Sequence, residues 1–442
     1  MMTRRIKDNW QISKDKFSDI PLVTKKIADK TFEQLEREGV LIFPPIVSDY
    51  EDITKDQMIL QSINDCYRSG NVMGFIGCGN ERLVIESRFC GGGNDYFLQY
   101  LLGKVLNFPN LVDLQTDASQ ENRLFKLLVF LFPYYLKNAA RKGLFKTYIR
   151  YQYNDGNLRG PIDVARHVKQ NTPFVGNIAY GRREYSYDND LVELVRHTIE
   201  FIKKKSYGNN LLAKVKEEVK LVVNATPRYE LYDRRKIVSK NKQNPLRHAY
   251  YREYRLLQQL CLLILQHEKH QIGSGMRQIY GILFDGSWLW EEYINTLIKD
   301  YFYHPMNRSG KGAQRLFSSG NNKLIYPDFI GRKQSPRIIA DAKYKPIENI
   351  GNSDYLQVLA YMFRFDAKTG YYLYPEASNV DDAPLWLNKG TTYDNNVVAR
   401  DDICVIKHGL KIPTNADSYE VFVAKMKEYE KKFTDIFSEN AT

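Results

Sequence analysis

The segment Tyr326-Pro327-Asp328-Phe329-Ile330 precedes Ile338-Ile339-Ala340-Asp341-Ala342-Lys343 by one polar turn around Gln334-Ser335-Pro336. Side chains alternate faces along an extended strand, so Asp341 and Lys343 point the same way. A hairpin between the two segments brings Asp328 beside them. Two carboxylates and one lysine then converge at a strand end among apolar neighbours, where acids have no obvious structural task. Two hard oxygen ligands, with the backbone carbonyl of Ala342, suit Mg2+ (Mn2+ as a substitute) with several waters retained. A lysine beside such a site can orient or deprotonate an attacking water while the metal stabilises charge developing on a phosphodiester. This Asp…Asp-x-Lys arrangement is that of metal-dependent nucleases. The same letters on a solvated hairpin edge would do nothing, so flanking features matter.

Two such features stand out. Ser287-Trp288-Leu289-Trp290-Glu291-Glu292-Tyr293-Ile294 reads as helix, with Leu289, Trp290, Tyr293, Ile294, Leu297 and Ile298 on its apolar face. Glu291 falls at the border of that face, from which a carboxylate can reach a neighbouring sheet; Glu292 lies further round, toward solvent. The other reading of Glu291 is a surface acid near a helix start. Gln357 and, one turn on, Tyr361 belong to the segment Asp354-Tyr355-Leu356-Gln357-Val358-Leu359-Ala360-Tyr361, a helix that begins just after the Asp341 strand and can line the same cleft. An ordinary polar helix position explains Gln357 equally well.

The elements that must position these groups are legible as patterns. Strands are expected over Leu324–Gly331, Arg337–Tyr344, Tyr371–Leu373 and Ile403–Ile406, and helices over Trp288–Tyr301, Asp354–Phe365 and Ser418–Phe437. The last third therefore reads as α/β, a mixed sheet flanked by helices. Earlier, Lys26–Gly39 has helical spacing with Gly39 as a stop. Val72–Phe89 looks like strands punctuated by glycines. Cys90–Asp95 reads as a loop and Tyr96–Leu106 as an apolar helix. Ser119–Lys142 is helical with Pro133 expected to kink or split it. Asp190–Lys205 and Tyr250–His267 are helices, and Arg234–Lys236 with Asn241–Pro245 reads as a connector. The organisation expected is a β-containing region over 1–115, a mainly helical region over 116–270 and an α/β domain over 271–442.

Composition sets the bounds. Of 442 residues, 43% are hydrophobic and 26% charged, values of an ordinary globular chain that excludes disorder and collagen-like repeats. Lys and Arg number 64 against 52 Asp and Glu, a net charge of +12, which favours polyanions, nucleic acid first. Five widely spaced cysteines with no Cys-x-x-Cys pair argue against a zinc ribbon and a secreted disulfide framework. Met1–Trp10 is polar and basic rather than a signal peptide, and the most apolar run, around Leu127–Phe132, is far short of the ~20 residues of a membrane span. A reduced, cytoplasmic protein is expected. Ser309-Gly310-Lys311-Gly312 and Gly91-Gly92-Gly93 lack the pattern of a phosphate-binding loop. The chain is therefore not expected to bind a nucleotide itself. Arg159, Arg166 and His167 could contact DNA phosphates or pair within the chain, and Arg182-Arg183 with Tyr185 and Tyr187 mixes basic and aromatic groups as nucleic-acid surfaces do.

The sequence resembles the McrC family, the nuclease subunit of McrBC-type, 5-methylcytosine-directed restriction systems. The likeness rests on Leu289-Trp290-Glu291-Glu292-Tyr293-Ile294, Pro327-Asp328, Asp341-Ala342-Lys343-Tyr344-Lys345 and Asp354-Tyr355-Leu356-Gln357…Tyr361. Weaker support comes from Leu83-Val84-Ile85-Glu86-Ser87-Arg88-Phe89 followed by Asp95-Tyr96-Phe97-Leu98, and from Arg159-Gly160-Pro161-Ile162-Asp163. It spans about residues 75–365; the first 70 and last 70 residues match no nameable pattern. The resemblance implies a PD-(D/E)xK nuclease fold at the C-terminus and an N-terminal region that docks on a partner, an AAA+ GTPase ring of the McrB type. It implies Asp328, Asp341 and Lys343 as motif residues, Glu291 as the helix acid, and Mg2+ and double-stranded DNA as cofactor and substrate. Asp in place of Glu at the second acid lies within the family's range. Two other functions remain in play: a self-sufficient nuclease, and a non-catalytic adaptor that only stimulates an NTPase.

Overall fold

The protein is described by a computed structural model over residues 2–38, 40–43, 57–91, 96–106, 120–267, 279–305, 312–318, 324–333, 337–376, 384–390 and 397–439. It is a mixed α/β chain that divides into two compact units, residues 1–118 with 274–442, and residues 119–273. The expected first and third segments are thus not separate bodies. The strand Ile279–Asp285 pairs antiparallel with Val72–Cys78 and parallel with Val40–Phe43, so residues from beyond position 270 complete the N-terminal sheet.

That first sheet has the order Met2–Lys7, Glu81–Glu86, Val72–Cys78, Ile279–Asp285, Val40–Phe43. Every residue of Val72–Cys78 is buried, as expected for a strand covered on both faces. Gly74, at φ 138°, allows the close pairing: a Cβ there would stand 2.2 Å from the Ile282 carbonyl oxygen. Ile6, Val40, Ile42, Ile76, Leu83 and Leu283 share its core with Val23, Ile27, Phe32 and Leu35. Those last four lie on two short helices, Pro21–Ile27 and Phe32–Glu38, where one helix is expected over Lys26–Gly39. The break is fixed by Asp29, which adopts a left-handed φ of 56° while its carboxylate accepts from the Ser62 N–H and hydroxyl, each at 2.7 Å. Such local side-chain bonds compete with helix continuation.

The second sheet has the order Phe302–Tyr303, Phe329–Gly331, Arg337–Ala342, Ala367–Glu376, Val398–Lys411, Pro384–Lys389. Its three middle-to-late strands, from Arg337–Ala342 through Ala367–Glu376 to Val398–Lys411, run parallel, and the flanking pairs are antiparallel. The helix Asn352–Phe365 is the crossover between the first two of these, as parallel pairing requires. The single strand expected over Leu324–Gly331 is two. Leu324–Ile325 pairs with Gln314–Arg315 in a small separate sheet, and Phe329–Gly331 joins the large one. Pro327, with no N–H to give to a ladder, sits at the break. The turn around Gln334–Pro336, most of the Cys90–Asp95 loop and residues 309–311 lie outside the described residues.

The unit 119–273 is helical, built around Leu194, Val195, Ile199, Leu257, Leu260 and Ile264. Its first helix, Gln120–Ala140, continues through Pro133 rather than splitting there. The expected connector is instead a helix, Arg234–Gln243, anchored by Asn241, which donates to the Asp190 carbonyl and accepts from Gln258, both at 2.8 Å. A ribbon of two nine-residue strands, Thr147–Asp155 and Ile178–Ser186, belongs to the same unit. Arg166 braces it, donating to the carbonyls of Tyr153 (2.8 Å) and Tyr180 (2.7 Å). Among the described residues no helix is long and apolar enough to cross a membrane.

Candidate active site

Register places the acids. Phe329 pairs with Ala340 across the antiparallel strands, so Asp328, one residue before the strand, comes opposite Asp341. Oδ2 of Asp328 accepts the Ala342 N–H at 2.9 Å, and its backbone carbonyl accepts from Nδ1 of His304 at 3.0 Å. Asp341 is 1% exposed, and its Oδ2 lies 2.7 Å from Nζ of Lys343. Lys343 continues the strand's direction: its N–H donates to the Leu373 carbonyl at 2.9 Å. Its ammonium also donates to Oε1 of Gln357 (2.9 Å) and lies 3.5 Å from Asp354. Gln357 in turn donates to the Tyr361 hydroxyl (2.6 Å), which donates to the Tyr326 carbonyl (3.1 Å). Gln357 and Tyr361 thus form the strut between the lysine and the Pro327 turn.

Glu291 arrives from the helix Gly286–Ile298. Asp285 caps that helix, accepting from the N–H groups of Ser287 (2.8 Å) and Trp288 (3.2 Å). The buried Trp290 indole donates to the Leu373 carbonyl at 2.9 Å and locks the helix onto the second sheet. With Trp290 and Ile294 inward, Glu291 is turned to the cleft, its side chain 17% exposed; Glu292 is 32% exposed and does not line the cleft. His304 Nε2 lies 3.8 Å from Glu291 and 3.6 Å from Glu292. The cleft has a volume of about 600 Å³, and Asp328, Asp341, Ala342, Lys343, Glu291, Gln357 and Tyr361 all line it.

The electrostatics follow from burial and crowding. Asp328 is pushed well above the usual carboxylate range by desolvation, and further by the charges of Asp341 and Glu291. Burial alone would lower the Lys343 ammonium, but Asp341 and Asp328 outweigh it and hold the lysine as a cation, above its ordinary value. Burial raises the Tyr361 hydroxyl, and the same two acids raise it further. Among the described residues no three acidic, His or Cys side chains form a preformed metal cage. A buried and a half-buried carboxylate repelling one another beside an open cleft nonetheless fit Mg2+, which takes one or two carboxylates and keeps waters.

Sequence reasoning missed four contributors. Asp354 carries both Lys343 and Lys345, the latter at 2.9 and 3.0 Å. His304 props Asp328 from outside the motif. Asn71 and Arg88, from the first sheet's hairpin region, complete the cleft wall. Arg88 lies in a quoted segment, Leu83–Phe89, but nothing in its spacing ties it to residues 328–343.

In this mixed α/β body two acids, a neighbouring lysine and a helix acid line one cleft. The chain belongs to the McrBC family: residues 67–375, well over half of it, match the model of the McrBC 5-methylcytosine restriction system component. Among solved structures it is similar to a chain of the Thermococcus gammatolerans assembly of McrB AAA+ hexamers with bound McrC. That likeness covers 98% of this chain and 100% of that one, at 16% identity and a TM-score of 0.48. A second chain, from the Thermococcus gammatolerans McrBC complex, aligns with 67% of this chain and 87% of its own length, at 14% identity and a TM-score of 0.31. No curated protein sequence matches.

Proposed function

We propose that this chain is the nuclease subunit of a modification-dependent restriction complex. In this reading it is a Mg2+-dependent endonuclease of the PD-(D/E)xK kind that cuts double-stranded DNA while bound to an AAA+ GTPase ring, and it raises that ring's turnover. The observation that carries the reading is the convergence of Asp328, Asp341 and Lys343 on one cleft with Glu291. Asp328, Asp341 and the Ala342 carbonyl would hold the metal, with Glu291 reaching it directly or through water. The metal, when bound, would supply Lewis-acid stabilisation of charge on the phosphodiester. Lys343, kept cationic by its neighbours, serves to orient the attacking water and offset developing negative charge rather than to take its proton. Gln357 fixes the lysine's direction.

Partner docking fits the helical unit. Its ribbon region exposes Leu158, Ile162, Val164, Val168, Phe174 and Val175, an apolar density that a free surface seldom carries. The 442 residues contain no Gly-x-x-x-x-Gly-Lys-Ser/Thr pattern, and this reading assigns GTP hydrolysis to the ring. The test is to incubate the full chain with methylated and unmethylated duplex DNA, Mg2+ and GTP, with and without an AAA+ ring of the McrB type. Cleavage confined to methylated DNA and to reactions holding every component is expected. Cutting without the ring would favour a self-sufficient nuclease, and stimulated GTP hydrolysis without cutting would favour an adaptor.

A further inference from the structure

The cleft is not made by the second sheet alone, and the residues that reach it from the first sheet's side, Asn9, Asn71 and Arg88, include one cation. Arg88 follows the strand Glu81–Glu86 and lines the same cavity as Asp328, Asp341 and Lys343. Its side chain is 9% exposed and held on several sides. Nε and Nη2 both donate to Oδ2 of Asp8, at 3.1 and 2.7 Å, and Nη2 also donates to Oδ1 of Asn71. The guanidinium carbon lies 4.8 Å from the ring centre of Tyr344, the residue after Lys343. Tyr344 is itself fixed, its hydroxyl 2.7 Å from Oγ of Ser87, with Gly286 leaving room where a Cβ would come 2.7 Å from the ring. A side chain with this many rotatable bonds ordinarily loses considerable entropy on being ordered. Here Asp8, Asn71 and the Tyr344 ring hold the guanidinium at the wall of the cleft.

We propose that Arg88 binds a backbone phosphate of the DNA lying across the acid cluster. The proposal rests on the nuclease reading above and adds to it the residue that offsets the repulsion between substrate and site. Asp328, Asp341 and Glu291 present a carboxylate wall that a phosphodiester avoids. The two lysines on that wall are committed, Lys343 to Asp341 and Gln357, Lys345 to Asp354. Arg88 differs. Asp8 and Asn71 use Nε and Nη2, and among the described residues no protein group accepts from Nη1. Asp8 is fully buried and cannot itself meet DNA, so it acts as the orienter of the fork. Paired in this way, a guanidinium keeps donors in the geometry that phosphate oxygens accept. A purely structural Arg88, present only as the counter-ion of Asp8, accounts for Nε and Nη2 but gives no reason for the residue to line the cleft.

The test uses the full-length chain and a short labelled duplex, with Ca2+ in place of Mg2+ so that binding is read without cutting. Affinity is measured over a salt series for wild type, Arg88→Gln, Arg88→Lys and Asp8→Asn. Each phosphate contact contributes about 0.9 to the slope of log affinity against log salt. The expected result is that Arg88→Gln binds roughly tenfold more weakly with its slope reduced by about one. Arg88→Lys and Asp8→Asn should keep the slope. Should Arg88→Gln leave Asp8 uncompensated and fail to fold, the double variant Asp8→Asn/Arg88→Gln removes the buried pair together and must show the same loss. An unchanged slope with affinity within twofold of wild type, in whichever of the two folds, would overturn the proposal and leave Arg88 as a counter-ion. Cleavage by Asp341→Asn, run alongside in Mg2+ with the ring and GTP, separates the two claims. Wild-type cutting by that variant would overturn the nuclease reading whatever the Arg88 slope shows.

Discussion

Nζ of Lys343 lies 2.7 Å from Oδ2 of Asp341, a carboxylate almost wholly removed from solvent. The two-residue period of a strand puts both side chains on one face, and burial makes the pair interdependent: either charge alone would be costly there. Around this pair the fold gathers Asp328 by strand register, Glu291 by helix packing and Gln357 by the crossover helix.

Glu291 and Glu292 are adjacent in sequence and differ in what they face. Glu291→Gln should lower cleavage at saturating Mg2+ by roughly tenfold or more and raise the Mg2+ concentration needed for half-maximal rate. Glu292→Gln, whose carboxylate is directed to His304 and away from the cleft, should change either quantity less than about threefold. Equal and mild effects from both would remove Glu291 from the site.

Asp8 gives a pH dependence of stability. Desolvation raises it to about 6 even though Arg88 pulls it down. The folded state therefore binds this proton more tightly than the unfolded state, so the contribution to stability is full below about pH 4 and is lost as pH rises through about 6. Asp8→Asn has no such titration. Wild type should lose stability relative to Asp8→Asn between pH 4 and pH 7 by on the order of 3 kcal/mol, with no further relative change above pH 7. Denaturant melts at matched pH values measure it, and a flat difference across that range would show that Asp8 is not shifted.

The boundary near residue 270 is a poor place to cut this chain. A fragment ending there lacks Ile279–Asp285, which pairs on both sides within the first sheet and buries Ile282, Leu283 and Phe284. Losing three such side chains and two rows of pairing is expected to cost well over 5 kcal/mol, enough to unfold an ordinary domain. Residues 1–270 should therefore show a non-cooperative melt of the N-terminal sheet, whereas residues 119–273 should fold alone with high helicity by circular dichroism. A cooperative, native-like sheet in the 1–270 fragment would contradict the topology.

Much of the site was legible because strand alternation and helix periodicity are local rules. Asp328, Asp341, Lys343 and the inward bias of Glu291 over Glu292 follow from spacings of two and from one helical wheel, and the structure brings these groups to one cleft. What was hidden is long-range. That Ile279–Asp285 belongs with Val72–Cys78 depends on a pairing across about two hundred residues, and that Arg88 meets Tyr344 depends on how the two sheets lie together in one unit. The misread breaks have local causes of another kind. Asp29 stops a helix by capturing Ser62, and Pro327 divides a strand, contributions from side chains that a periodicity count treats as neutral. The helix Arg234–Gln243 was obscured by its charge, since it is held by Ile237, Asn241 and packing rather than by a broad apolar face.

The central claim is that the acid pair and its lysine cut DNA, and Asp341→Asn tests it most directly. The amide keeps the shape of the side chain and removes the charge that faces Lys343 and would hold the metal. The full chain is assayed with the AAA+ ring, GTP, Mg2+ and methylated duplex, and GTP hydrolysis is followed in the same tubes. Cleavage is expected to fall by roughly 100-fold or more while stimulation of GTP hydrolysis stays near the wild-type level. Cleavage within about twofold of wild type by a variant that still stimulates the ring would contradict the account.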